Sequence, residues 1–175
     1  MVVLIIGGSA SGKSAYGEQV IGQLSQHPVY LATMDSHGKA AQKRIEKHRA
    51  MRAGKGFRTL ECKYATSILA ADMRGQSVLL EDLPNLVANV LFQEVNGSVA
   101  EAKQAVRRAL SYLEKETTNL VIITGDLASE GLLYDEVTTA YLRLLGELQQ
   151  EIAADAEKVY EVVAGIPTVL KGVKE

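Results

Sequence analysis

The stretch Val2-Val3-Leu4-Ile5-Ile6-Gly7-Gly8-Ser9-Ala10-Ser11-Gly12-Lys13-Ser14 runs from five apolar residues straight into the pattern G-x-x-x-x-G-K-S. A triphosphate explains every position in it. Gly7, Gly8 and Gly12 are expected to take backbone conformations closed to residues with side chains, so that successive N–H groups converge on phosphate oxygens. A helix starting near Lys13, with helix-compatible sequence from Ala15 to Leu24, would add the positive end of its dipole. Lys13 is then placed to reach the β and γ phosphates, and the Ser14 hydroxyl to ligate a magnesium ion bridging them. The alternative is a plain glycine-rich turn. A strand before the loop, Lys-Ser in register and a helix after it favour a phosphate loop, and Gly7, Gly8, Ser9, Ala10, Ser11, Gly12, Lys13 and Ser14 become the nucleotide-binding set.

Working outward, short apolar runs recur at Val2–Ile6, Val29–Ala32, Val78–Leu80, Leu120–Thr124 and Val159–Val163. Each is followed by a turn signal or polar sequence, which reads as strands buried on both faces. Longer segments of helical spacing lie between them. The clearest carries Val137, Ala140, Tyr141, Leu144, Leu145, Leu148 and Ile152 on one stripe. Strands alternating with helices, behind a phosphate loop after the first strand, predict an α/β P-loop NTPase fold of the RecA-like kind. This is a parallel sheet with helices on both faces and ligands at the strands' C-terminal ends. Asn96-Gly97-Ser98 and Gly54 to Gly56 read as loops.

The chain has 175 residues, which fits one nucleotide-binding domain over 1–175 with no linker. Its 19 basic and 21 acidic residues leave a net charge of −2, which argues against nucleic acid as the main partner and suits a small anionic or neutral substrate. No stretch reaches the roughly 20 apolar residues of a membrane span. The first apolar run has neither a basic flank nor a small-residue cleavage site, so a cytoplasmic location is expected. Cys62 is the single cysteine, which excludes a disulfide framework or a multi-cysteine zinc site within one chain and reads as a buried small hydrophobe.

Two further places bear on chemistry. Val78-Leu79-Leu80-Glu81-Asp82 is an apolar strand ending in two carboxylates, the feature that a phosphate-loop fold sets opposite its lysine to hold magnesium or its water shell. Taken alone it reads equally as solvated surface; beside the loop, Ser14 and Glu81 are the expected metal-site residues. Arg44-Ile45-Glu46-Lys47-His48-Arg49-Ala50-Met51-Arg52 is a basic segment with one histidine. It reads either as a solvated helix or as a movable arm whose cations grip phosphate while His48 attacks it, a neutral imidazole being a competent nucleophile near its ordinary pKa of about 6.5. His27 and His37 sit beside Pro28 and Gly38 and take no role.

These residues together carry a resemblance. The phosphate loop, Tyr30-Leu31-Ala32-Thr33, Arg44-Ile45-x-x-His48-Arg49-x-x-Arg52, Arg58-Thr59-Leu60-Glu61, Leu79-Leu80-Glu81, Asn89-Val90-Leu91-Phe92 and Val162-Val163-Ala164-Gly165-Ile166 are similar to the bifunctional adenosylcobinamide kinase / adenosylcobinamide-phosphate guanylyltransferase family of cobalamin biosynthesis. The resemblance implies two reactions. ATP or GTP phosphorylates the aminopropanol hydroxyl of adenosylcobinamide, and GTP then passes GMP through a histidine to the phosphorylated corrinoid, giving adenosyl-GDP-cobinamide. It implies Lys13 and His48 as catalytic residues, with His48 guanylylated. It places Glu61 and Glu81 as nucleotide-site carboxylates, and Ala32, Thr33, Met34, Arg49, Ala50, Met51 and Arg52 against GTP, with Mg2+ as cofactor. It also implies a homo-oligomer, in this family a trimer.

The departures from the family pattern concentrate after Thr124. Where the family reads Asn-Glu-Val-Gly, this chain reads Gly125-Asp126-Leu127-Ala128; Leu133 replaces a proline; and Glu136, Thr139 and Glu147 stand where basic residues are expected. Gln149-Gln150 keeps half of an Asn-Gln pair. Upstream, Gly38-Lys39-Ala40-Ala41-Gln42-Lys43 replaces an acidic, Met-containing run. Lost cations remove phosphate or substrate contacts. The alternative expectation is therefore a divergent nucleotide-binding homologue lacking one or both activities. An unrelated small-molecule phosphate-loop kinase would explain Lys13 and Glu81, but not the Arg-Ile-x-x-His-Arg segment.

Overall fold

A computed structural model gives the structure of the chain and describes residues 1–35, 54–126 and 134–172. The expectations for His37, Gly38 to Lys43, Arg44 to Arg52 including His48, Leu127, Ala128 and Leu133 lie outside the described residues. In chain order the elements are β1 (Val2–Gly7), α1 (Lys13–Leu24), β2 (Val29–Ala32), β3 (Arg58–Glu61), α2 (Ala65–Ala70), β4 (Ser77–Glu81), α3 (Leu83–Asn89), α4 (Val99–Glu116), β5 (Asn119–Gly125), α5 (Glu136–Asp155), β6 (Lys158–Val163) and β7 (Ile166–Lys171). A π-helical turn, Val90–Glu94, continues α3.

The seven strands form one sheet in the order β3-β2-β4-β5-β1-β6-β7. β1 lies between β5 and β6, and the acidic strand β4 is separated from β1 by β5. Strand alternation sends successive side chains to opposite faces. One set, including Leu4, Leu31, Leu80, Ile122 and Val159, packs with residues of α2 to α5 such as Ile68, Leu86, Val106 and Leu148. The other set, including Val3, Ile5, Tyr30, Leu79, Ile123 and Val162, packs with Ile21 of α1. Gly17 lets α1 approach this closely: a Cβ there would stand 2.5 Å from Ile123 Cδ1.

The expected parallel sheet is corrected at one edge, because β7 runs antiparallel to β6. Ala164 and Gly165 take φ of 50° and 80°, the left-handed pair that closes a two-residue hairpin with the twist strands require. The apolar runs also gave no sign of β3, whose side chains are largely exposed and which is held to β2 by backbone pairing. Asn96-Gly97 forms the expected turn before α4, with Ser98 Oγ as its N-cap acceptor from Glu101 N at 3.4 Å. On α5 the predicted stripe buries Leu144, Leu145, Leu148 and Ile152, but Val137 at its start is exposed. Lys171 of β7 donates to the carbonyls of Ala153 and Ala154 at 3.0 and 2.7 Å, supplying the last turn of α5 with a cation that its own sequence lacks.

Candidate nucleotide site

The phosphate loop turns between β1 and α1 at the C-terminal edge of the sheet. Its glycines divide the work differently from the sequence expectation. Gly12 has φ of 93° and is the N-cap of α1, so it needs the left-handed region. At Gly7 the constraint is space, since a Cβ would meet Ser11 Oγ at 2.5 Å and the Val162 carbonyl oxygen at 2.7 Å. Gly8 meets neither restriction in the folded chain, with nothing within 4 Å of a Cβ, and the other left-handed residue of the loop is Ala10, at φ 56°. Lys13 Nζ donates to Gly8 O at 3.0 Å, curling over the loop.

The loop is braced from the far end of the chain. Gly165 N, in the β6–β7 turn, donates to Ser11 O at 2.8 Å, and a Cβ on Gly12 would stand 3.1 Å from Gly165 Cα. Val162 to Ile166, one of the stretches carrying the family resemblance, is thus part of the loop's wall. On the other side, Gln149 of α5 donates to Thr124 Oγ1 at 2.7 Å and Gly125 O at 2.9 Å. It fixes the end of β5 beside Gly7, with which Gly125 is in register.

Across the sheet, Ala32 of β2 is in register with both Glu61 of β3 and Glu81 of β4, a row of three at the sheet's C-terminal edge. Parallel partners in register project to the same face, here the face covered by α1. Ser14 Oγ therefore meets Glu81, donating to Oε1 at 2.7 Å. The second carboxyl oxygen, Oε2, is buried and has no hydrogen-bond partner among the described residues. Burial, with the adjacent Asp82 charge, pushes the Glu81 carboxyl up to about 8; the Ser14 hydrogen bond and the Lys13 ammonium only partly offset this. An orphaned carboxylate oxygen beside a serine hydroxyl is a donor set that fits a hard divalent cation.

The two carboxylates at the end of β4 part company. Asp82 is the N-cap of α3, where its Oδ1 accepts from Asn85 N at 2.9 Å and Asn85 Nδ2 at 2.7 Å. Thr33 is fully buried, with every polar group engaged: N donates to Glu81 O at 3.0 Å, Oγ1 donates to Asp82 O and accepts from Asp82 N, both at 2.8 Å, and O accepts from Asn89 Nδ2 at 2.8 Å. Met34 follows, half-buried, with Asp35 paired to Lys63 at 2.6 Å. Cys62 is buried as expected, and burial raises its thiol pKa.

In the divergent stretch, Glu136 lies in the first turn of α5, where a negative charge complements the helix dipole. Thr139 Oγ1 donates to Tyr134 O at 3.5 Å. Glu147 accepts from Lys103 of α4 at 2.6 Å, in a surface network with Glu151 and Arg107. Two of the residues standing where the family has bases thus serve α5 itself and its packing on α4. The contributions of Thr33, Asn89, Gln149 and the Ala164-Gly165 turn had no signal in composition or periodicity; Thr33, Asn89 and the turn surfaced only inside stretches of family resemblance, and Gln149 as the retained half of an Asn-Gln pair.

Fold and loop together define a P-loop nucleotide-binding α/β protein whose acidic strand lies one strand away from the loop-bearing strand. The chain belongs to the family described as cobinamide kinase / cobinamide phosphate guanyltransferase, whose model matches residues 3–170. It is similar to the bifunctional adenosylcobalamin biosynthesis protein CobU of Escherichia coli strain K12, with 28% identity across 98% of this chain and 100% of that protein. It is similar also to CobP of Pseudomonas aeruginosa, named as the same bifunctional type, with 29% identity across 97% of this chain and 96% of that one. Among solved structures, the flagellar accessory protein FlaH of Methanocaldococcus jannaschii aligns with 98% of this chain and 78% of its own at 13% identity and a TM-score of 0.44. Among the described residues, no helix is long and apolar enough to cross a membrane.

Proposed function

We propose that this chain, acting as one domain over residues 1–175, is an adenosylcobinamide kinase and adenosylcobinamide-phosphate guanylyltransferase of adenosylcobalamin biosynthesis. The observation that carries the reading is the Ser14–Glu81 contact of 2.7 Å behind a braced phosphate loop, in a chain matched to the family over residues 3–170. The loop's N–H groups and Lys13 bind the phosphates of ATP or GTP and offset the charge that develops on transfer. Ser14 and Glu81 would hold Mg2+, which supplies charge neutralisation between the phosphates. Ala32, Met34, Arg49, Ala50, Met51, Arg52 and Glu61 are the proposed contacts around the rest of the nucleotide; Thr33, which the family resemblance sets among them, is buried with every polar group engaged and stands behind them.

In the second reaction an imidazole nitrogen of His48 attacks the α-phosphorus of GTP and pyrophosphate leaves. A phosphate oxygen of the phosphorylated corrinoid then attacks that phosphorus, forming the P–O–P bond and releasing His48. Dividing the transfer this way spares two polyanions a direct encounter. A homo-oligomer, a trimer by family resemblance, and a cytoplasmic location belong to the same reading.

The test is intact-protein mass after incubation with GTP and Mg2+, comparing the native chain with His48→Ala. A GMP adduct confined to the native chain supports the guanylyltransferase half. No adduct on a chain that binds GTP refutes it and favours the second reading, a divergent nucleotide-binding homologue. That reading has its own observation: Glu147 is committed to Lys103 of α4 at 2.6 Å, leaving Arg143 as the one cation between Asp126 and Glu157.

A further inference from the structure

Building on the metal role given above to Ser14 and Glu81, we propose that Thr33 is a positioning residue for that carboxylate. Its hydroxyl closes on the main chain of Asp82 and thereby fixes the direction in which Glu81 presents its side chain to Ser14, with Asn89 propping Thr33 from behind.

The geometry is a closed set of bonds. Glu81 is the last residue of β4, and beyond it the strand ladder has ended. Strand pairing alone leaves its C-terminal side unsupported, because the β4–β5 register stops at Leu80 and Ile122. Thr33 takes over at this point. Its amide donates to Glu81 O at 3.0 Å, extending the β2–β4 ladder by one step. Its hydroxyl then satisfies both the N–H and the C=O of Asp82, each at 2.8 Å. A hydroxyl is the smallest side-chain group able to donate and accept at once, and a β-branched residue holds it at a stiff χ1. The Glu81–Asp82 peptide, through Glu81 O and Asp82 N, and the following Asp82–Leu83 peptide, through Asp82 O, are therefore both held by Thr33, the residue that follows β2.

Asn89 makes this hub rigid. Buried on α3, it donates through one nitrogen to Thr33 O at 2.8 Å and to Lys63 O at 3.3 Å, joining the ends of β2 and β3. Asp82 caps the helix that carries Asn89, so the loop of interactions closes on itself. Glu81 gives its carboxyl to Ser14 while its carbonyl and the main chain of Asp82 are tied to Thr33. Partners of this outer kind, which orient a metal ligand without touching the metal, change metal affinity by about 10- to 100-fold when removed.

The experiment is binding of a fluorescent GTP analogue by the full chain, measured in excess EDTA and across a Mg2+ titration, for the native chain, Thr33→Val and Thr33→Ser. Thr33→Val is expected to keep the EDTA affinity within about threefold and to need about 10- to 100-fold more Mg2+ for half-saturation, as loss of an outer-sphere partner does. Thr33→Ser, which restores the hydroxyl, is expected to return close to the native requirement. An unchanged Mg2+ requirement in Thr33→Val overturns the proposal, as does an equal loss in EDTA and Mg2+, which marks a merely structural residue. If Thr33→Val does not fold, Asn89→Leu removes only the prop; an increased Mg2+ requirement supports the proposal and an unchanged one overturns it. A native chain that binds the analogue with no dependence on Mg2+ refutes the metal role of Ser14 and Glu81 and, with it, the positioning role of Thr33. That outcome is distinct from a native Mg2+ dependence that Thr33→Val leaves intact.

Discussion

Replacing Glu81 by Gln is expected to remove a pH-dependent instability built into the metal- and nucleotide-free protein. Burial raises the Glu81 carboxyl from 4.5 to about 8, so the folded chain holds this proton where the unfolded chain has lost it. Below pH 4.5 both states are protonated and the group contributes nothing to the pH dependence. Between 4.5 and about 8 the folded state binds the extra proton, and stability falls as pH rises. Above that range both states are ionised and the loss is complete. At about 1.4 kcal/mol per pH unit, the full loss is at most about 5 kcal/mol, a large part of the stability of an ordinary domain. From about pH 6 to about pH 8 the share is about 3 kcal/mol, or roughly 6–12 °C in melting temperature for a chain of this size. Gln keeps an oxygen to accept from Ser14 and carries no charge at any pH. Thermal melts by circular dichroism in EDTA, from about pH 5.5 to about pH 9, check this: the native chain should lose stability relative to Glu81→Gln across this range and level off above about pH 8. Parallel profiles for the two proteins would refute it, since the carboxyl would then titrate alike in both states.

Lys13→Ala is expected to abolish GTP binding while leaving the melting temperature close to native, checked by calorimetric titration; unchanged affinity would sink the phosphate-loop assignment. Gly7→Ala should destabilise the protein by about 1–3 kcal/mol, because its Cβ would run into the backbone carbonyl of Val162 at 2.7 Å. Gly8→Ala, with open space around the added atom, should unfold at the native urea midpoint. Cys62, buried and with its thiol pKa raised, should react slowly with a disulfide reagent near pH ~8 in the folded chain and rapidly once urea unfolds it. Fast reaction of the folded protein would contradict its burial.

The five strands that announced themselves are those enclosed between layers, because an apolar run is the mark of a strand with no wet face. β3 and β7 are edges, and an edge strand such as Arg58-Thr59-Leu60-Glu61 draws its stability from backbone pairing, which leaves no hydrophobic imprint. The loop from Gly7 to Ser14 was legible because phosphate binding needs particular residue types at fixed spacing. Opposite it, Glu81 was readable as a charge at a strand end; that Asp82 would instead cap α3 depended on Pro84 and Asn85 starting a helix immediately afterwards. Thr33 and Gln149 entered only through the family resemblance, as a GTP contact and as half of an Asn-Gln pair, and their bonding roles were not legible in the residues themselves. Each acts by hydrogen bonds to backbone groups at least 24 positions away, and such partners follow from the assembled sheet order alone. His48 and the basic run to Arg52 rest on sequence reading and family membership.

The bond from Gly165 to Ser11 makes the phosphate loop late to mature on the ribosome. β1 is synthesised early, yet its neighbours β5 and β6 begin at Asn119 and Lys158, and the brace on the loop arrives only with the turn at Ala164-Gly165. A nascent chain holds the loop's sequence long before it can hold the loop's shape. A fragment stalled before Gly165 carries the whole G-x-x-x-x-G-K-S pattern without the turn that braces it.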